Sequence, residues 1–523
     1  MIFDEIKSID DDPMDALHIP LKLNAAIHIG ASSISLLITN EAGEQIEYLE
    51  KSTSLAHDIF SQGEITKSTI KNCVSILLGY NAILTEFGIN IHDPNVRIVA
   101  TNILSESSNM DIFINRLQIT CGVSVKVLDD GEMTRLIYMK TRRLLLDKPA
   151  MAQHNTLVVH AGPGNTRTLY FKQGKIESYK NYRIGIYRAS EEIRNLSIDE
   201  TQAKRFLYDH INSQLDTLIE DFQEEDIQDI IFIGYELQLL QPKLMGSKKS
   251  QCSLSKLEKI SDAVISMDDD DIVSHYTIDY HTAEALPPAI AISTCIAKAL
   301  SMEKITIPGS DYEREFLNDI HLSHDSSSSF TEEVTASAWA LAKKCRVNKK
   351  HAKQVTATAL LLFDELEDLH RLDPQAKLLL HCASLLHECG GFIADASHHK
   401  HSQYIIQNSD IFGLSHPDIK LVALIARYHR NSPPKPSHSV YRDLDTPQQM
   451  RVSKIASLLR IADALDRSHS ARAENIIIKL EPGQLNIHLT DVTDATVERI
   501  AMKSKGNLFQ NIFGLEIYIH EEI

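Results

Sequence analysis

Cysteine is scarce in this sequence and has no ordered spacing. The chain holds 7 cysteines among 523 residues, and no two of them form a CxxC pair. An odd, scattered set argues against a disulfide framework and against a zinc knuckle. The expected compartment is therefore a reducing one, the cytoplasm.

Long hydrophobic runs and positive charge are also lacking. No apolar run reaches the roughly 20 residues that a membrane-spanning helix needs, and the acidic start MIFDEIKSIDDDPMD has no signal-peptide pattern. The formal net charge is −18 at pH 7, so the overall field repels polyanions. Nucleic acid and membranes are therefore not expected partners, and any polyanionic ligand must be held by a local basic groove.

The remaining composition is that of a globular protein with several domains. With 43% hydrophobic and 24% charged residues, the chain is long enough for about three or four domains. Alternating strand and helix patterns predict one α/β domain over 20–140 and a second, similar one over 141–310. Beyond the serine-rich boundary HLSHDSSSSF, the pattern predicts a helical domain over 325–470 and a small α/β unit over 471–523.

Several segments, in order along the chain, resemble motifs of the exopolyphosphatase and guanosine pentaphosphate phosphatase (Ppx/GppA) family. They are AAIHIGASSISLLI (25–38), VATNILSESSN (99–109), GEMTRLIY (131–138), HAGPGNTR (160–167), HHKHSQYIIQN (398–408) and RYHR (427–430). The resemblance implies two actin-like, ribonuclease H-like α/β domains, a helical HD-like domain and a small C-terminal α/β unit. It also implies phosphoanhydride hydrolysis with Mg²⁺, polyphosphate or a guanosine polyphosphate as ligand, and a homodimer.

The glycine-rich motifs resemble phosphate-binding loops. Glycine allows tight turns that bring backbone N–H groups close to phosphate. By resemblance, the phosphate-binding residues are Gly30, Ser32 and Ser33 in the first loop and Gly162, Gly164, Asn165, Thr166 and Arg167 in the second.

The acidic residues of the family pattern are replaced. The aspartates of the two loops match His28 and His160, the acid that closes the second loop matches Arg167, and the glutamate expected as general base matches Met133. A thioether cannot take a proton from water, and neutral imidazoles are poor ligands for Mg²⁺. We therefore expect a site impaired for hydrolysis, with the neighbouring Glu132 as the remaining candidate for the catalytic acid.

Three interpretations of the two loop histidines stay open at this point. They could be ordinary hydrogen-bonded residues in a cleft that no longer binds a ligand. Replacing acids by His28, His160 and Arg167 could instead allow phosphate to bind directly without a metal. The two imidazoles could also belong to a soft-metal site, for which the sequence offers no third ligand.

The helical segment contains the residue types of a second site. HD-type phosphohydrolases converge histidine and aspartate ligands on a metal, and the matching residues here are His351, His387, Glu388 and Asp463, with His398, His399 and His429 as candidate ligands for a second ion. Such a set suits Mn²⁺, Fe or Zn²⁺, but glutamate replaces the usual aspartate, so a structural remnant is the alternative. Basic runs at 343–353 and 427–438 predict either a polyanion channel or ordinary solvated faces.

Overall fold

The computed structural model describes most of the chain. The described residues are 23–147, 151, 153–194, 200–245, 251–308, 317–318, 328–430, 432–470, 475–490 and 492–522. The acidic start and most of the stretch HLSHDSSSSF lie outside them, so the boundary predicted there is not described. Among the described residues, no helix combines the length and the apolar character needed to cross a bilayer.

The first sheet is mixed and has five strands. They are β1 (Asn24–Ile29), β2 (Ser33–Thr39), β3 (Gln45–Ser52), β4 (Val96–Ala100) and β5 (Lys126–Val127), and their order is β3-β2-β1-β4-β5. The accompanying helices are α1 (Leu55–Gln62), α2 (Lys67–Glu86), α3 (Met110–Cys121) and α4 (Asp130–Asp147). β1 pairs antiparallel with β2 and parallel with β4. The inner strands are apolar on both faces because helices cover the sheet.

The second sheet repeats this arrangement with one extra strand. Its strands are β6 (Thr156–Ala161), β7 (Thr166–Lys172), β8 (Lys175–Tyr182), β9 (Asp229–Ile233), β10 (Gln251–Ser253) and β11 (Lys304–Thr306), in the order β10-β11-β9-β6-β7-β8. Its helices are α5 (Ile186–Arg194), α6 (Glu200–Gln214), α7 (Asp216–Phe222), α8 (Tyr235–Met245), α9 (Leu254–Ile265), α10 (Asp269–Tyr276) and α11 (Tyr280–Ala299).

The two sheets correspond strand by strand. Each begins with an antiparallel meander, β1-β2-β3 or β6-β7-β8, and then continues in parallel from its first strand, to β4 or to β9. This duplication confirms the expected pair of actin-like α/β domains. The sequence patterns missed β3, an edge strand whose ends are exposed and which carries Glu47 and Glu50.

The helical part packs in a bundle-like arrangement. Its helices are α12 (Ser328–Lys344), α13 (Lys349–Glu365), α14 (Glu367–His370), α15 (Pro374–Leu386), α16 (His398–Gln407), α17 (His416–Arg427), α18 (Ser439–Arg442) and α19 (Thr446–Leu465). Ser415 caps α17 by accepting a hydrogen bond from the Asp418 N–H. In the first turn of α12, Phe330 packs against Tyr138 and Phe412.

The chain ends in a three-stranded sheet with two helices. β12 (Asn475–Glu481), β13 (Gln484–Thr490) and β14 (Glu516–Glu522) follow the order β12-β13-β14, with α20 (Thr496–Lys505) and α21 (Asn507–Phe513) before the last strand. One continuous apolar core joins this unit, the helical part and the face of the second sheet near α4. The helical part is therefore packed directly against the segment in which the catalytic acid was expected.

Candidate functional site

The two glycine-rich motifs form equivalent tight turns between the first two strands of each sheet. In each turn a glycine N–H donates to a carbonyl three residues on, Gly30 to Ser33 and Gly162 to Asn165, both at 2.8 Å. A Cβ on Gly30 would lie 2.9 Å from the Ser33 carbonyl oxygen, so the turn requires glycine there.

Part of the phosphate-binding capacity expected of the second loop is used within the protein. Pro163 has no N–H to offer a phosphate, and the Thr166 hydroxyl is buried and donates to the Ile184 carbonyl at 2.7 Å. The carbonyls of Gly162 and Pro163 accept hydrogen bonds from the first turn of α5. The loop therefore also serves as a cap for that helix.

His160 lies on β6 beside the loop and pairs in register with Arg167 on β7. Burial, together with the nearby charges of Arg167 and Lys140, lowers the pKa of His160 to about 3. This imidazole is therefore neutral at physiological pH. His28 occupies the same place on β1 and is similarly buried.

Two carboxylates near the loops are both bound by arginines. Arg167 is 1% exposed, and its Nη2 lies 2.6 Å from Asp130 Oδ1, which also accepts a hydrogen bond from Asn102 Nδ2 at 2.9 Å. Across the cleft, Arg188 Nη2 lies 2.7 Å from Glu106 Oε2. The sequence motifs did not single out Asp130 or Arg188, because their partners come from distant segments.

Arg188 also ties the two actin-like domains together. Its Nε donates to the carbonyl of Gly164 at 3.4 Å, and its guanidinium lies 5.4 Å from the centre of the Phe60 ring. Glu106 and Phe60 belong to the first domain, and Gly164 and Arg188 to the second. The second loop is therefore held against the first domain by a charged and aromatic contact.

The structure does not bring the predicted catalytic acid, Glu132, to the loops. Glu132 and Asp129 form a reciprocal cap at the start of α4: the Glu132 N–H donates to Asp129 Oδ1 at 2.9 Å, and the Asp129 N–H to Glu132 Oε2 at 3.3 Å. The Glu132 carboxylate also pairs with Lys126 and lines a separate cavity of about 440 Å³ beside β4 and β5. Met133 packs among buried apolar residues, including Leu37, Val99 and Leu136.

This donor set does not fit Mg²⁺. The ion prefers several carboxylate and water oxygens, whereas the cleft presents imidazoles and two carboxylates already bound by Arg167 and Arg188. An oxyanion fits the same surroundings better, because guanidinium groups bind phosphate with two parallel hydrogen bonds.

The helical part brings together the histidines and acids that were expected to hold a metal. His351 Nδ1 donates to Asp466 Oδ2 at 2.7 Å, and His387 Nδ1 donates to the Ser384 carbonyl at 2.7 Å. Both rings therefore direct an Nε2 lone pair inward, and these two nitrogens are 3.2 Å apart. Two opposed lone pairs require a cation between them, either a proton or a metal ion.

Three carboxylates surround this pair. His351 Nε2 lies 3.7 Å from Asp463 Oδ1 and 3.9 Å from Glu388 Oε2. Burial by itself would lower the pKa of His351, but the hydrogen bond to Asp466 and the charges of Glu388 and Asp463 together raise it. Asp466 was not predicted as a site residue, although it fixes the His351 tautomer in the way that outer-shell carboxylates orient metal-ligating histidines.

Lys505, from α20 of the C-terminal unit, enters the same centre. Its ammonium pairs with Asp463 Oδ2, and both side chains are buried. Although burial opposes it, the Lys505 charge holds the pKa of Asp463 well below its usual range. Arg460 positions this lysine by donating to the carbonyls of Ser504 and Lys505 at 3.1 and 2.8 Å.

A second histidine pair lies beside the first. Of the candidate ligands for a second ion, His398 rather than His399 lies against His429, and their Nε2 atoms are 3.2 Å apart. The His429 and His387 rings are in edge contact with centres 5.0 Å apart, which links the two pairs. Among the described residues, no hydrogen-bond partner reaches His399 Nδ1, and burial together with the charges of His398 and Arg427 lowers the pKa of His399 to about 4.

The donors of the first pair fit a transition metal. His351, His387 and Asp463 place one ligand atom each within 4.8 Å of one another, and imidazole with carboxylate suits Mn²⁺, Fe or Zn²⁺. Lys505 occupies only the outer oxygen of Asp463, so Oδ1 stays directed toward His351.

Comparisons with known proteins identify the family of this chain. A model of the Ppx/GppA phosphatase family matches residues 38–323, and a model of Ppx/GppA phosphatase domain III matches residues 335–503. A guanosine-5'-triphosphate,3'-diphosphate pyrophosphatase of Photobacterium profundum is 22% identical over 448 residues, covering 84% of this chain and 86% of that protein. One from Aeromonas hydrophila is 21% identical over 410 residues, covering 77% and 80%.

Solved structures include members of the same family. An exopolyphosphatase from Cytophaga hutchinsonii aligns with a TM-score of 0.49 and 16% identity over 58% of this chain and 98% of that chain. An Aquifex aeolicus family member aligns with a TM-score of 0.46 and 18% identity over 59% and 100%. The two family models together span most of the sequence, and the chain belongs to the Ppx/GppA phosphatase family.

Proposed function

We propose that this protein binds a phosphate chain, inorganic polyphosphate or a guanosine polyphosphate, at the actin-like cleft, and that it hydrolyses this ligand poorly. One observation carries the proposal: the cleft carboxylates Asp130 and Glu106 are each held by an arginine, while Met133 is packed in an apolar cluster. Asp130 and Glu106 are therefore occupied by guanidinium groups, which opposes a role of either carboxylate as general base.

The same arginines supply the means of binding. Arg167 is buried beside the second loop, and Arg188 donates to the Gly164 carbonyl of that loop. An incoming phosphate competes with Asp130 and Glu106 for these guanidinium groups and forms bonds of the same charge-assisted type. Binding without cleavage suits a regulatory protein that senses the ligand concentration.

Two measurements on the purified protein test this proposal. Phosphate release is followed with polyphosphate and with guanosine pentaphosphate in the presence of Mg²⁺, and binding of the same ligands is measured by calorimetric titration. We expect saturable binding with little phosphate release. Turnover of about 1 per second or more, which is typical of enzymes, contradicts impaired hydrolysis, whereas absent binding contradicts the role of the cleft.

A second candidate function is favoured by the opposed histidine nitrogens of the helical part. There His351, His387, Asp463 and Glu388 would hold a transition-metal ion, and Asp466 would orient His351. When bound, such an ion supplies a nucleophilic hydroxide at neutral pH by lowering the pKa of its water. The chain would then be a metal-dependent phosphohydrolase whose working site lies outside the actin-like cleft.

Elemental analysis separates the two functions. A working helical centre predicts about one equivalent of Mn, Fe or Zn in the purified protein, lost in His387→Ala and retained in the matched variant His381→Ala, which lies on the same helix outside the centre. If the purified protein contains no metal and stays inactive with Mn²⁺ toward nucleotides and phosphodiesters, the second function is excluded and only the binding function remains.

We extend the proposal to a homodimer, which family membership suggests. Val497 and Ile500, 46% and 65% exposed, lie three positions apart on one face of α20 and offer an apolar surface for such contact. Sedimentation analysis is expected to give a dimer mass, and Ile500→Lys is expected to shift it toward the monomer.

A further inference from the structure

A groove on the outside of the helical part is not explained by either candidate function. Its walls are α12 and α13, which each pack against α15, and its floor is formed by His381 and Leu385 of α15. The cavity measures about 600 Å³, within the range of small-molecule sites.

One wall of the groove carries an aromatic surface. Thr335, Ala336 and Trp339 occupy neighbouring positions on one face of α12 and line the groove. Trp339 is half-buried and packs on the apolar core with part of its ring system. Its accessible part offers a flat platform on which a planar ligand can stack.

The opposite wall carries positive charge. Lys349 and Lys353 are exposed and lie one turn apart at the start of α13. Among the described residues, neither ammonium forms an ion pair with a carboxylate. His381 adds no charge, because burial and the nearby Lys377 lower its pKa. Although the chain has a net charge of −18, this wall is locally positive and can attract an anion.

A buried hydroxyl supplies an independent indication of a ligand. Thr356 lines the groove two turns after Lys349, is 7% exposed, and its Oγ1 has no hydrogen-bond partner among the described residues. A buried hydroxyl without a hydrogen-bond partner carries a free-energy cost for the folded protein. A polar ligand atom in the groove would remove this cost.

We propose that this groove binds a purine nucleotide, with the base stacked on Trp339 and the phosphates held by Lys349 and Lys353. The Glu332 carboxylate, also on the α12 wall, only accepts hydrogen bonds, and the amino and ring N–H groups of purines donate them. A planar ring alone would contact only the Trp339 wall, and a phosphate alone would contact only the lysine wall. A nucleotide contacts both walls.

The single tryptophan makes the site directly observable. Trp339 is the one tryptophan of the chain, so its fluorescence reports on the groove without contribution from other indoles. The full-length protein is titrated with ADP and with GDP, with excitation at the red edge of the indole band, where the bases do not absorb. We expect a saturable change in emission with at least one of them.

Two double variants of equal charge test the contacts. Lys349→Ala with Lys353→Ala is expected to raise the half-saturating concentration by at least about tenfold. Lys343→Ala with Lys344→Ala removes the same charge from exposed positions at the end of α12 that do not line the groove, and it is expected to leave binding unchanged. If both double variants raise the half-saturating concentration equally, the nucleotide responds to general surface charge, and the proposed site is wrong.

Further probes separate the base from the phosphate. In equilibrium dialysis, Trp339→Phe is expected to keep most of the affinity for the nucleotide, because phenyl still stacks, whereas Trp339→Ala is expected to lose it. Inorganic tripolyphosphate that reproduces the full fluorescence change means a phosphate site without base recognition and overturns the proposal. Absence of any saturable change with ADP and GDP up to millimolar concentrations also overturns it.

Discussion

The actin-like cleft and the helical centre both contain a buried histidine close to charged groups, yet the charges have opposite signs. His160 faces Arg167 and Lys140, and its pKa is lowered to about 3. His351 faces Asp466, Glu388 and Asp463, and its pKa is raised despite burial. The same side chain therefore marks a place suited to anions in one region and a place suited to cations in the other.

This difference is created by neighbours from distant parts of the chain. Arg167 reaches His160 through the pairing of β7 with β6, and His351 meets Asp463 near the end of α19 and Asp466 directly after it. The comparison predicts that removing the neighbouring charge, rather than the histidine itself, changes what each region binds.

The largest expected effect is a loss of stability when the buried ion pair of Asp463 and Lys505 in the helical centre is broken. Asp463→Asn keeps the size of the side chain but leaves the buried Lys505 side chain without its counter-charge. Removing one partner of a buried pair costs about 3–5 kcal/mol. Urea unfolding followed by Trp339 fluorescence measures the loss in the helical part. Asp443, whose side chain is 59% exposed, pairs with Arg442, so Asp443→Asn serves as the control and is expected to change stability little.

A somewhat smaller effect is expected from restoring the family's acid in the cleft. Met133→Glu places a carboxyl group among Leu37, Val99 and Leu136 and is expected to destabilise the first domain by about 3 kcal/mol without restoring phosphate release. Met133→Leu keeps the apolar volume and is expected to cost less than about 1.5 kcal/mol. Hydrolysis gained by Met133→Glu would show that the side chain at this position reaches the loops rather than the apolar cluster of Leu37, Val99 and Leu136.

Removing the buried charge of Arg167 tests whether the actin-like cleft is the region that binds anions. Arg167→Met is expected to weaken phosphate-chain binding by about 2 kcal/mol, the value of a hydrogen bond to a charged group. Lys172→Met on the same strand is the matched control, because Lys172 is 53% exposed and carries the same charge. Equal losses in calorimetric titrations of the two variants would place binding on the general surface charge rather than in the cleft.

The smallest effect concerns the pH dependence of stability, which should differ in sign between the regions. The folded pKa of His160 is about 3, so below pH 6.5 the unfolded chain binds a proton that the folded state excludes. As the pH decreases from about 6.5 to 5, the free energy of unfolding of the actin-like part therefore decreases by about 1 kcal/mol for each pH unit. His160→Gln is expected to make this decrease smaller.

For His351 the sign reverses. Its raised folded pKa means that the folded state keeps a proton that the unfolded chain releases, so this contribution is present below about pH 6.5 and is lost as the pH rises through the folded pKa. Unfolding curves of the helical part in chelator, for the wild type and for His351→Gln, measure it. The same slope in both regions would contradict the opposite charge environments.

Much of the fold follows from patterns in the sequence, and the exceptions have identifiable causes. Buried strands such as β1, β2, β6 and β9 are continuous apolar runs, so their period and length predict them. β3 escaped prediction because an edge strand with solvent-facing glutamates lacks the apolar alternation. Which acid at the start of α4 reaches Arg167, Asp130 rather than Glu132, depends on the rotation of this helix about its axis.

The sequence alone predicts the glycine turns, the repeated α/β pattern and the family, because each of these depends on residues that are close together in the chain. The roles of single side chains needed the tertiary structure. His398 and His399 are neighbours on a helix and point about 100° apart, so only packing decides which one faces His429. Lys505 reaches Asp463 across 42 positions of sequence, and Arg167 finds Asp130 across 37. Pairings at such separations are set by how sheets and helices pack against one another, and no local spacing encodes them.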